Sequence, residues 1–183
     1  MHSMTITNQQ LRAAFLNPAM RHYFEKKLAP VSRTEVRVRV EEALKFLNMA
    51  AFCRGSIPVS KEIDEIWHYW ILETQQYKKL CRVLQGGKFL HHRSNAFMEY
   101  FDKDIATRGN DLKHDVAMLS TYVLNYGPFK RDRVKYWLLA AHLVEKCGWS
   151  VRQLNLWLTS GREPRVRGSL MELSAIRRSR SAA

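Results

Sequence analysis

Residues 61–85, KEIDEIWHYWILETQQYKKLCRVLQ, set the reading of the whole chain. Ile63, Trp67, Trp70, Thr74, Tyr77, Cys81 and Leu84 recur at alternating intervals of four and three, the period of a helix that buries one stripe. Ser60 precedes the stretch as an N-cap, and Glu62, Asp64 and Glu65 suit the positive end of its dipole. Gly86-Gly87 ends it. Two Trp and one Tyr on the stripe predict that this helix forms the centre of the fold. Asp64, His68, Gln75 and Lys79 fall on its flank.

Working outward, the same punctuation predicts helices on both sides. Asn17-Pro18 opens one that runs to about Leu28 and closes at Ala29-Pro30. Arg33 to Cys53 carries Val36, Val40, Leu44, Leu47 and Ala51 at helical spacing. Ser94 caps a short helix ending near Asp102. Asn110 or Asp111 caps another that ends at Asn125-Tyr126-Gly127-Pro128. Two more run from about Arg131 to Lys146 and from Ser150 to Thr159. No strand-like alternation interrupts them. The expected fold is all-α, a compact single-domain bundle of about seven to eight helices over residues 1–168. Residues 169–183 form a basic, partly disordered tail.

The 183 residues carry a net charge of +13 with 46% hydrophobic residues, enough for a buried core. No apolar run is long enough to cross a bilayer. Met1-His2-Ser3-Met4-Thr5 has neither a basic start nor an apolar run, so no secretory leader is expected. Three scattered cysteines, Cys53, Cys81 and Cys147, fit reduced thiols and a cytoplasmic protein.

The segment from Val59 through Glu65-Ile66-Trp67-His68, then Ile71-Leu72, Thr74, Tyr77, Cys81 and Leu90-His91-His92, resembles the bacterial branch of the glycine-rich-domain-containing-protein-like family. Ala43-Leu44-Lys45-Phe46-Leu47 fits the helix which that family places upstream. The resemblance covers about residues 43–92 and implies a fold rather than an activity. The family's second His, two residues after the first, is Trp70 here.

Metal ligation is the first chemistry to weigh. On a straight helix His68 and Cys81 lie about 20 Å apart and about 140° round the axis, so they cannot share an ion. The helix end falls about 25 Å beyond His68, and six extended residues return only about 20 Å. His91 is therefore not expected at His68. Two separate seeds for zinc or iron remain: Asp64 with His68, completed from His22 or His142, and Cys81 with His91 or His92. Asp64 and His68 are also the candidate catalytic pair.

The C-terminal third is the second. From Phe129 onward, twelve Lys/Arg face four Asp/Glu, which implies a polyanionic partner such as nucleic acid. Residues 139–158 have helix-turn-helix grammar within a pair spanning 131–159, with Val144 four before Gly148 and Ser150 capping the second helix. Ser150, Arg152, Gln153 and Asn155 would then read bases. Lys130, Arg131, Arg133, Arg162, Arg165 and Arg167 would neutralise phosphates. The leading expectation is a basic nucleic-acid-binding or regulatory protein. The alternatives are a metal- or small-molecule-binding domain, even an enzyme, centred on Asp64 and His68, and a scaffold for a protein partner or a homo-oligomer.

Overall fold

The computed structural model describes residues 6–92 and 112–162, and among these the fold is all-α. The helices are α1 (Asn8–Phe15), α2 (Pro18–Lys27), α3 (Arg33–Ala50), α4 (Lys61–Leu72), α5 (Thr74–Val83), α6 (Leu112–Tyr126), α7 (Leu138–Glu145) and α8 (Val151–Ser160), with a short 3-10 helix at Val134–Tyr136. The only β-type pairing in the described residues is an isolated bridge between Val59 and Trp137. The helix expected from Ser94 and the tail 169–183 lie outside the described residues. No described helix is long and apolar enough to cross a membrane.

Local chemistry starts α2, α3 and α8 where the punctuation predicts. The Asn17 side chain accepts from the Met20 N–H ahead of Pro18, and Ser32 caps α3 through the Glu35 N–H. α1 was not expected. Its signal is Thr7 with Gln10, a capping box in which each side chain satisfies the other's backbone. Ser60 sits in extended conformation at the head of α4 but makes no side-chain cap. Its N–H donates to the Tyr136 carbonyl at 2.9 Å, and the Leu138 N–H donates to the Pro58 carbonyl at 3.2 Å, so the 55–60 loop is tied to the approach to α7.

The centre of the bundle is α3 and not the Trp-His helix. Every residue from Val40 to Met49 is buried, and α3 packs on α1, α2, α4 and α6. A helix enclosed on all sides reads as apolar all round, but α3 carries Glu41, Glu42 and Lys45 in that buried run, which disguises it. These charges are answered inside the protein. Glu42 Oε1 accepts from Lys45 Nζ at 2.7 Å and from Arg133 Nη1 at 3.1 Å. Its Oε2 accepts from Tyr122 Oη at 3.1 Å and from Trp137 Nε1 at 2.9 Å. Glu41 pairs with Arg12 at 3.0 Å and with Arg133 at 2.6 Å. Burial pushes the Lys45 ammonium below its ordinary value against the pull of Glu42.

This cluster explains a second departure. The expected helix from Arg131 to Lys146 is broken at Trp137, which is extended (φ −117°, ψ 106°) between the 3-10 turn and α7. The break belongs to the segment that delivers both Arg133 and the Trp137 indole to Glu42. Phe129, Tyr122 and Trp137 pack around the same point, with Phe129 and Tyr122 stacked at 4.1 Å.

Removing one partner from a buried ion network leaves the others uncompensated, at a cost of about 3–5 kcal/mol. Glu42→Gln is accordingly expected to lower the urea midpoint strongly, whereas breaking the solvent-exposed Arg33–Glu25 pair with Arg33→Gln changes it little. Equal shifts for the two variants would contradict the role given to Glu42.

The buried tyrosines set the alkaline limit. Burial raises Tyr122 and Tyr77 well above 10.0, and burial raises Tyr126 and Tyr136 to about 12, the latter reinforced by its hydrogen bond to Glu35. A folded value above the unfolded one stabilises fully below pH 10 and is lost as pH climbs through 12. Lys45, lowered from 10.5, works in the opposite sense but is one group against four. Cooperative unfolding between about pH 10 and 12 is expected, coincident with a rise in tyrosinate absorbance. Gradual tyrosinate formation with the fold intact would contradict it.

Candidate functional site

The helix expected over 61–85 is two helices. Glu73 (φ −87°, ψ 66°) ends α4, and the chain changes direction before α5. Ile63, Trp70, Tyr77, Cys81 and Leu84 are buried as the stripe predicts, whereas Trp67 is half-buried and Thr74 is exposed. Gly86 and Gly87, at φ +87° and +60°, then reverse the chain in a conformation that side-chain-bearing residues avoid. The returning segment is pinned by Tyr77, whose hydroxyl donates to the Leu90 carbonyl at 2.6 Å and accepts from Trp67 Nε1 at 2.9 Å.

That return brings His92 onto α4. Its ring lies edge-on to Trp67 at 4.7 Å and to His68 at 4.4 Å, and its Nε2 is 3.9 Å from Asp64 Oδ1. Asp64 and His68, one turn apart, are 3.3 Å apart between Oδ2 and Nδ1. One ligand atom from each of Asp64, His68 and His92 lies within 4.8 Å of the other two. The straight-helix estimate keeps His91 from His68, and His91 is indeed absent from the group, but it does not anticipate His92, because the helix is not straight.

The two seeds expected from sequence are thereby redrawn. Cys81 is buried in the core, and His91 is exposed and packs on Phe89. Neither joins the group, and His92 is grouped with Asp64 and His68. His22 and His142 are exposed on α2 and α7 and contribute nothing to it. The side chain that the fold brings beside Asp64 and His68 is instead that of His92.

His68 Nδ1 lies 2.8 Å from the Asp64 main-chain carbonyl, a contact that makes Nδ1 the donor and leaves Nε2 as the ring's lone-pair nitrogen. Asp64 and His68 are about half exposed and His92 less so. The group opens onto a cavity of about 540 Å³ walled by Phe46, Ile57, Pro58 and Trp67, with Lys61 at its edge. His114 of α6 braces the far wall: its Nε2 is 2.7 Å from the Ser56 carbonyl, and its ring closes over Gly55, where an added Cβ would meet Cε1 at 2.8 Å.

A family model described as UCP032817-like matches residues 7–113. The chain belongs to this family. No curated protein and no solved structure matches it. The UCP032817-like span takes in Asp64, His68 and His92 and stops just after α6 begins, so α7 and α8 stand beyond it.

Those two helices pack on each other across the turn at Gly148, and several of the expected reading residues are engaged within the fold. Asn155 Nδ2 donates to the Phe129 carbonyl at 2.9 Å, and its Oδ1 accepts from the Phe129 N–H at 2.7 Å. Ser150 and Gln153 form a capping box at the start of α8. Arg133, expected on phosphates, is buried on Glu41 and Glu42, where the carboxylates raise its pKa against the effect of burial. Gly148 takes the turn at φ +71°, and Trp149 is buried edge-on to Trp157 at 5.3 Å. Lys130, Arg131, Arg152 and Arg162 are exposed, and Arg165 and Arg167 lie outside the described residues.

Proposed function

We propose that Asp64, His68 and His92 hold a divalent transition metal, zinc or iron, and that the protein is a metal-dependent domain acting on a small substrate in the adjoining cavity. The observation that carries this reading is convergence: a pair from α4 and a histidine 24 residues further on meet at the mouth of a cavity large enough for a small molecule. Two His and one carboxylate with open positions is the donor set of catalytic zinc sites and of non-haem iron sites. Ligand atoms around tetrahedral zinc sit about 3.3 Å apart, so small side-chain rotations from the present spacing complete the set. The metal would supply Lewis acidity and an acidified water. Lys61 would attract an anionic group on the substrate, and Phe46 and Trp67 would seat its apolar part.

Protein purified without chelators is expected to carry one zinc or iron per chain, or to take up one zinc on titration. With about 10–16 kcal/mol for four-ligand zinc sites, each ligand is worth about 3 kcal/mol. His92→Ala, His68→Ala and Asp64→Asn should then each weaken zinc by ~10²-fold. Unchanged zinc affinity in His92→Ala would refute the assignment, because that residue alone distinguishes a three-ligand site from an ordinary helix-surface pair.

Nucleic-acid binding through α7 and α8 is the weaker reading, supported by the exposed Lys130, Arg131, Arg152 and Arg162. It requires duplex affinity that falls steeply with salt and that drops when Arg131 and Arg152 become Ala. Affinity indifferent to both would exclude it.

A further inference from the structure

A second cavity, of about 240 Å³, lies between α1, α2 and α3. Its floor is Leu16, Phe24, Val36 and Val40, all buried. Four guanidinium groups border it, Arg12, Arg21, Arg33 and Arg37, with Glu25 as the single lining carboxylate. Arg12 is taken by Glu41 at 3.0 Å, and Arg33 reaches Glu25 at 3.4 Å. Among the described residues neither Arg21 nor Arg37 has a carboxylate within ion-pair distance.

Arg33 and Arg37 stand one turn apart on α3, a like-charge spacing that weakens a helix unless something answers it. Lysine would serve solubility equally well, yet every cation on this rim is arginine. The planar guanidinium matches phosphate oxygens in pairs and sheds water more easily than an ammonium. An apolar floor beneath such a rim fits a ligand with a doubly charged head and a short carbon body.

We propose that this cleft binds a small organic phosphate, its phosphate held by Arg21 and Arg37 and its carbon body seated on Leu16, Phe24, Val36 and Val40. The site is separate from the Asp64–His68–His92 group and stands or falls independently of it.

Phenyl phosphate titrated calorimetrically into the full chain tests it. The chain carries His68→Ala and His92→Ala so that no metal can capture the phosphate. Saturable one-to-one binding is expected, weakened roughly tenfold by either Arg21→Gln or Arg37→Gln and more by both. Inorganic phosphate, without a carbon body, and phenylacetate, with one negative charge, should each bind more weakly. Absence of saturable binding, affinity unchanged in the double variant, or inorganic phosphate matching phenyl phosphate would overturn the proposal. Both arginines are exposed, so the thermal midpoint should hold. If the double Gln variant does not fold, Arg21→Lys with Arg37→Lys keeps the charge and removes the fork. An affinity equal to that of the parent in that variant would likewise overturn it.

Discussion

The carboxylate of Glu42 is the constraint around which this bundle is assembled. It is fully buried in the middle of α3, and a carboxylate there is tolerable only when its oxygens are satisfied. The four donors come from three parts of the chain: Lys45 on α3 itself, Tyr122 on α6, and Arg133 and Trp137 from the segment before α7. Meeting that demand fixes where α6 lies, breaks the helix ahead of α7 at Trp137, and draws Arg133 away from the surface. Arg133 also pairs with Glu41, which holds Arg12 of α1. Two adjacent buried acids, Glu41 and Glu42, thus link the first helix of the family-matched span to the segment beyond it.

How much of this was readable in advance depends on how local the cause is. Caps and breakers act within a few residues, so Asn17-Pro18, Ser150 and Gly86-Gly87 mark real boundaries. Glu73 carries no such mark. It ends α4 without Gly or Pro, and a stripe that continues at helical spacing on both sides of it conceals the break. The central place of α3 is concealed for a related reason. Its acids and lysine interrupt the apolar pattern, and partners such as Tyr122 and Trp137, 77 to 95 residues away, show that Glu42 and Lys45 are interior.

The candidate metal group repeats the pattern. Asp64 and His68 share one helix face, so their pairing follows from 3.6 residues per turn alone. His92 belongs with them only because the chain bends twice, at Glu73 and at the glycine pair. The useful signal is the pair Gly86-Gly87 standing two residues before Leu90-His91-His92, which announces a reversal rather than an extension. Asn155 and Arg133 illustrate the opposite error. Their residue types suit base and phosphate recognition, but the fold had already used them to hold Phe129 and Glu42.

The hydrogen bond from Tyr77 to the Leu90 carbonyl has a thermodynamic side. It closes the reversal at residues 86–87 with the chain's own groups, so the ends of the segment from His68 to His92 meet before any ion arrives. Joining two points on a chain costs entropy that grows slowly with the length enclosed. Here that cost is met in folding the apoprotein rather than at the moment of ligation. An ion at Asp64, His68 and His92 would act as a staple across a loop already shut, so its binding energy would go into affinity rather than into folding the segment.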